Sequence, residues 1–194
     1  MTQPIPNPRK PEADIDPMFL DRWSPRAFLP DPVPEPQLKS LFEAARWAPS
    51  SNNEQPWLFI YATTPEDRER FASALARGNR RWAPHAPVLM FVLARKHFGG
   101  TEKLNRHAPF DAGSAWMSLA LQARRLGLYA HGMAGFDVEK AYEVLGVPRD
   151  QYEVMAAIAL GRRGDPSQLP PDLQEREAPN QRKPLAEVAR EGHF

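Results

Sequence analysis

Arg22 and Arg26 stand four apart with the hydroxyl of Ser24 midway, in the run Arg22-Trp23-Ser24-Pro25-Arg26. Two guanidiniums and a hydroxyl at that spacing can grip a phosphate and a second electron-rich group, because each guanidinium offers a planar fork of donors. A solvated surface pair would read the same way. The second island is Pro49-Ser50-Ser51-Asn52-Asn53-Glu54-Gln55-Pro56-Trp57, with hydroxyls, amides, a carboxylate and an indole held between prolines. It is either ordinary turn chemistry or a loop on which a polar ligand lies. The third is His131-Gly132-Met133-Ala134-Gly135-Phe136-Asp137. Its two glycines, three apart, let the backbone approach something flat and show it amide protons; the other reading is a strand-to-helix turn capped by Asp137. The fourth pairs Arg162-Arg163-Gly164 with Gln181-Arg182-Lys183-Pro184-Leu185, cations beside a proline-stiffened arm that are solvated or hold a ligand.

Other chemistries are missing their residues. There is no P-loop, no Gly-x-Gly-x-x-Gly between a strand and a helix and no Gly-x-Ser-x-Gly elbow. The five histidines form no His-x-x-x-His pair, so no zinc or other metal site is expected. With no cysteine there is no thiol nucleophile and no disulfide framework. Lys plus Arg is 25 against 24 for Asp plus Glu, which leaves no global field to attract nucleic acid, so any anion site must be local. No apolar run approaches the roughly 18 residues of a membrane span, and the first residues have no apolar core of a secretory signal. The expected location is the cytoplasm.

The elements that must position these islands follow from periodicity. Leu38, Leu41, Phe42 and Ala45 mark a helix from Pro36 to Ala48, stopped by Pro49. Trp57–Ala62, Pro87–Ala94 and Val154–Leu160 read as short buried strands, and Pro65–Arg77 and Asp137–Leu145 as helices. Asp111–Leu126 is apolar almost all round, with Asp111 as its expected N-cap; such a helix is central or lies at a subunit interface. Interleaved helices and strands predict an α+β domain, a mixed sheet between helical layers. Proline is concentrated in residues 4–36 and 166–184, so both ends should be extended arms, frayed or wrapped on a partner subunit. At 194 residues the chain suits a single domain, with residues 1–15 as a flexible arm.

Taken in order, the islands resemble the nitroreductase family of FMN enzymes from about Asp16 to Val188. The most specific piece is Ala44-Ala45-Arg46-Trp47-Ala48-Pro49-Ser50-Ser51-Asn52-Asn53-Glu54-Gln55-Pro56-Trp57, supported by Arg-x-Ser-x-Arg, Asn79-x-x-Trp82, Asp111-x-Gly113-x-Ala115 and Gly135-Phe136-Asp137. The resemblance implies a homodimer of α+β subunits with swapped terminal arms and FMN bound at the interface. By motif, Arg22 and Ser24 would hold the phosphate and ribityl chain, and Arg26 the N1/O2 edge of the flavin. Pro49, Ser50, Ser51, Asn53 and Gln55 would come from the partner subunit, and Asn79 would bond the pyrimidine edge. The Gly132-Met133-Ala134-Gly135 backbone would lie along the ring with an amide near N5, and Arg182 or Lys183 would complete the phosphate clamp. Two positions depart from the pattern: Ala134 stands where some relatives have a carboxylate, and Trp82 where some have a lysine.

The implied activity is transfer of hydride from NAD(P)H through the flavin to a nitroaromatic, quinone or similar acceptor by a ping-pong mechanism. No catalytic side chain is expected, since the cofactor carries the chemistry. The competing reading is a flavin-holding protein that acts on FMN itself or senses redox state, with reductive dehalogenation a third possibility.

Overall fold

In the strand expected near Pro87–Ala94, Leu89, Phe91 and Leu93 alternate with Val88, Met90, Val92 and Ala94, and all seven are buried. A strand apolar on both faces must be covered on both. The computed structural model, which describes residues 6–193, shows how. Pro4, and the first five residues of the expected flexible arm, lie outside the described residues.

The strands are β1 (Trp57–Ala62), β2 (Val88–Arg95), β3 (Tyr129–Met133) and β4 (Tyr152–Gly161), in the order β1-β2-β4-β3. The helices are α1 (Pro17–Asp21), α2 (Glu35–Arg46), α3 (Pro65–Ala72), α4 (Arg77–Arg80), α5 (Ala108–Arg125), α6 (Val138–Leu145) and α7 (Pro171–Gln174). Leu38, Leu41 and Ala45 of α2, with Ala112, Ala115 and Leu119 of α5, pack on the Val88, Met90, Val92, Ile158 and Leu160 face of the sheet. Phe71 of α3, with Ala141 and Val144 of α6, packs on the opposite face, against Leu89, Phe91, Leu93 and Ala159. The fold is α+β, a sheet between helical layers. Among the described residues, no helix is long and apolar enough to cross a membrane.

Four expectations need correction. The sheet is antiparallel throughout rather than mixed. Tyr129–Met133 is an unexpected edge strand, while Asp137 does cap the helix that follows it, accepting the Lys140 N–H at 3.0 Å. The helix begun at Pro65 ends at Ala72 rather than Arg77. Beyond it the backbone pairs with the Gly135–Asp137 segment instead: the Ala76 N–H donates to Gly135 O at 2.9 Å and the Asp137 N–H to Ala74 O at 2.8 Å. Tertiary pairing has overridden helix propensity there. Finally, α5 begins at Ala108, because Pro109 suits a first turn. Asp111 is therefore not its N-cap but a buried first-turn residue, whose carboxylate accepts the Ser51 N–H at 3.1 Å.

The apolar girth of α5 also divides. Ala112, Ala115, Leu119 and Ala123 are buried, while Phe110 is 77% exposed and the helical neighbours Gly113, Met117 and Leu121 on its stripe are not buried. One chain covers only one side of this helix.

Candidate active site

Arg22-Trp23-Ser24-Pro25-Arg26-Ala27 is an extended run, and its side chains alternate. Trp23, Pro25 and Ala27 are buried, while Arg22, Ser24 and Arg26 stay part-exposed on the other side. This period of two is why Arg-x-Ser-x-Arg puts all three polar groups on one wall. The run is fixed at both ends. Asp21 accepts from Arg124 of α5 at 2.6 Å, the Arg22 N–H donates to Met18 O at 3.0 Å, and the Gly164 N–H donates to Ala27 O at 2.8 Å.

Arg22, Ser24 and Arg182 border two adjoining cavities. One, of about 560 Å³, is also lined by Arg9, Arg26, His131 and Asn180. The other, of about 390 Å³, runs between Trp116 and Met117 of α5 and Gly132 of β3. The wall is cationic beyond what its neighbours balance. Burial and then the adjacent Arg182 lower the Arg22 guanidinium below its usual range. Arg9 is lowered by burial, Arg182 and Arg22, with Asp21 only partly opposing. Arg26 is lowered chiefly by burial, against the pull of Glu177. Guanidiniums crowded until each disfavours its neighbour's charge make a site that an anion would relieve.

Lys183 is not in this set. It is exposed, 3.5 Å from Glu187, and borders a different cavity between the two arms. Of the two tail cations, Arg182 is the one placed at the wall. Arg9 joins the wall with no sequence signal beyond being an arginine in a proline-rich arm. It is held there by bonds from its guanidinium to Leu20 O at 2.9 Å, Arg22 O at 2.7 Å and Asn180 O at 2.9 Å.

The glycines of the third island serve close approach, but to the protein's own groups. A Cβ on Gly132 would meet the Trp116 ring at 3.2 Å, and one on Gly135 would meet Asn79 Nδ2 at 2.8 Å. Asn79 donates to Gly135 O at 2.9 Å, so its amide nitrogen is engaged with this segment. Met133 is buried in the core, while Ala134 is exposed. Trp82 is 1% exposed and packed between Phe28 and His131, with ring centroids 6.3 and 4.5 Å away.

His131 Nδ1 lies 2.8 Å from Pro25 O, so Nδ1 carries the proton and donates. Burial, opposed by that bond and reinforced by Arg26 and Arg22, pushes its pKa down to about 4. The unfolded imidazole titrates near 6.5. Between those values the unfolded chain binds the extra proton, so stability should fall as pH drops from about 6.5 to about 4, by about 3 kcal/mol from this group. His131→Phe should flatten that part of the profile in urea titrations. Equal slopes for parent and variant over this window would show that the loss lies elsewhere.

The Pro49–Gln55 loop is built differently and lies elsewhere. Asn52, Asn53 and Gln55 have φ of 52°, 56° and 48°. Left-handed backbone is tolerable for asparagine but costly for glutamine, and it persists only where surroundings impose it. Here they do: the Gln55 N–H donates to Ser50 Oγ at 3.0 Å, Gln55 Nε2 donates to Asn53 O at 2.9 Å, and Asp111 holds Ser51. Ser51 is thus tied to the start of α5, whereas Arg22 follows Asp21, which is tied to Arg124 near its end. At roughly 1.5 Å per residue those two points are about 20 Å apart along the helix. A single chain brings Arg22, Ser24, Arg26, Arg182 and Gly132 to one place, and leaves Ser51, Asn53 and Gln55 at another.

The match to known proteins runs through these same segments. A family model described as "Nitroreductase family" matches residues 20–81 and 74–162. A solved structure described as an oxidoreductase containing FMN is 47% identical, covers 100% of this chain and 98% of its own, and superposes with a TM-score of 0.93. A Stenotrophomonas maltophilia protein named "Putative NADH dehydrogenase/NAD(P)H nitroreductase" is 31% identical over 149 residues, 68% of this chain and 76% of that one. A Streptomyces coelicolor protein with the same descriptive name is 32% identical over 156 residues, 68% of this chain and 75% of that one. Arg22, Ser24 and Arg26 of the wall, the strained loop, Asn79 and the Gly132–Gly135 edge all fall within the residues the family model matches, and the chain belongs to the nitroreductase family.

Proposed function

We propose that this chain is an NAD(P)H-dependent FMN oxidoreductase that works as a homodimer and passes electrons to a nitroaromatic, quinone or similar small acceptor. The observation that carries the reading is the wall where Arg22, Arg26 and Arg182 converge with the Ser24 hydroxyl, a donor set suited to a phosphate ester and in excess of the nearby acids. An exposed edge strand with amides at Gly132–Gly135, beside Asn79, is suited to a flat heterocycle with polar edges.

The residues fit FMN in named roles. Arg22, Ser24 and Arg182, with Arg9 behind them, would hold the phosphate and ribityl chain. Arg26 would place positive charge at the N1/O2 edge, where negative charge gathers on reduction. Asn79 and the Gly132, Met133, Ala134 and Gly135 backbone would position the ring. When bound, FMN supplies two-electron chemistry, accepting hydride from a nicotinamide and delivering it to an acceptor in a second half-reaction. The chain's part is to orient, to exclude water and to set charge. Trp82, standing where some relatives have a lysine, and His131, kept neutral by burial, add no cation, so the positive charge offered to the ring would come from the arginines of the wall.

Dimerisation is supported by what one chain leaves open. Phe110 is 77% and Trp47 73% exposed, and Leu185 and Val188 stand exposed on the C-terminal arm. Apolar surface of this kind marks an interface. A partner's Pro49, Ser50, Ser51, Asn53 and Gln55 would then complete each site, with residues 1–194 forming one FMN-binding unit and the exposed Leu185 and Val188 of the C-terminal arm reaching toward the partner, while Arg9 and Arg182 stay on their own chain's wall.

Purified protein should carry the visible absorption of bound flavin, and anaerobic NADPH or NADH should bleach it. A colourless protein that takes up no added FMN would end the proposal. Bound flavin that neither nicotinamide bleaches would point instead to a flavin-holding or redox-sensing protein.

A further inference from the structure

Glu177 lies just past α7, 151 residues from Arg26 in the chain, and its side chain is fully buried. Its carboxylate accepts the Arg26 N–H through both oxygens, at 2.8 and 3.0 Å, and the Ala27 N–H at 2.9 Å. The Arg26 guanidinium is 3.9 Å away, an ion-pair distance without a hydrogen bond, and instead donates to Arg176 O at 3.3 Å. The carboxylate therefore does two separable things: its lone pairs hold backbone, and its charge faces a guanidinium that borders the cavity.

A neutral acceptor could hold two amides at a smaller desolvation cost than a buried carboxylate. The charge calls for a second explanation, and Arg26 supplies it. Among the described residues, Glu177 is the one acid that acts measurably on the Arg26 guanidinium, opposing both its burial and the neighbouring Arg176, although Glu175 also lines the cavity. We propose that Glu177 is a positioning residue: it fixes Arg26 at the cavity wall and limits how much positive charge Arg26 presents to the ligand's electron-rich edge. The role rests on the reading of Arg26 given above.

The test uses the full chain and separates the two jobs. Glu177→Ala should raise hydrogen exchange of the Arg26 and Ala27 amides at least tenfold in FMN-free protein, with β2 and β4 protection kept as a control for folding. Glu177→Gln, which retains an acceptor, should restore most of that protection. In FMN-loaded protein, Glu177→Gln should raise the preference for reduced over oxidised flavin about tenfold, a shift of about +30 mV for a two-electron couple. In an Arg26→Ala background the same change should move the potential little.

Unchanged exchange at Arg26 and Ala27 in Glu177→Ala would overturn the positioning role. If Glu177→Ala loses its fold, exchange in Glu177→Gln decides, and strong loss of protection there overturns it. An equal potential shift with and without Arg26 would show that the carboxylate acts on the flavin directly, which also overturns the proposal. A parent protein that holds no FMN would sink the flavin reading, while the exchange result would still decide the clamp.

Discussion

Gly135→Val should lower the rate of flavin reduction by NADPH about 10²-fold or more while much of the FMN stays bound, the scale of losing one preorganised donor. The structure sharpens why. A Cβ at Gly135 would fall 2.8 Å from Asn79 Nδ2 and 3.5 Å from Ala76 Cβ. The Gly135 carbonyl accepts from both the Ala76 N–H and Asn79 Nδ2, each at 2.9 Å. A branched side chain must break at least the second bond and turn the carboxamide away. Gly135 and Asn79 are therefore one unit, and the cost of the valine should pass largely through Asn79. Asn79→Ala alone should slow reduction, and adding Gly135→Val to it should cost much less than tenfold more, the sub-additivity expected of groups in contact. Met133→Leu conserves volume at a buried core position and should be mild. Stopped-flow reduction of the four variants, each checked for bound FMN, measures this. A parental rate in Gly135→Val would reduce the segment to a simple turn.

Periodicity located most of the fold, because β2 and the buried faces of α2 and α5 are governed by apolar burial that repeats along the chain. It failed where long-range pairing decided. The end of α3 was invisible because Ala74 and Ala76 bond to Asp137 and Gly135, some 60 residues on. The site divides in the same way. Arg22, Ser24 and Arg26 were legible since a period of two in an extended run puts them on one wall. Arg182 could not be told from Lys183, because only folding turns one to the wall and the other to Glu187. Arg9 and Glu177 gave no signal at all: Glu177 reaches the Arg26 amide across 151 residues, and Arg9 joins Asn180, 171 residues on, to the nearer Leu20 and Arg22 carbonyls. His131 was quoted with its island but given no role; its neutrality comes from burial, which is not written in the local sequence. The Trp82 departure is explained by packing, since the indole is 1% exposed and fills the space between Phe28 and His131.

The strongest test of the shared site is complementation between two defective chains. Arg22→Ala removes a charged donor from the wall and should weaken FMN binding by ten- to a hundredfold. Asn53→Asp keeps a residue that tolerates φ of 56° but replaces an amide donor with a negative charge, and should weaken binding comparably. In one chain the segments that carry the two positions are tied to opposite ends of α5, at Asp111 and Arg124, points about 20 Å apart along the helix. If each site takes Arg22 from one subunit and Asn53 from its partner, a mixed dimer holds one site with both defects and one with neither. Unfolding the two variants together and refolding them should give about half mixed dimers by random pairing in a two-fold assembly, so about a quarter of all sites should regain parental affinity. FMN titration at a concentration that fills parental sites but not defective ones reads that fraction directly. If Arg22 and Asn53 serve the same site from a single chain, every mixed dimer contains two singly defective sites and no tight fraction returns. That result, with the dimer confirmed by light scattering, would put the Pro49–Gln55 loop outside the site and leave its strained backbone to the hydrogen bonds that Ser50, Asn53 and Asp111 accept.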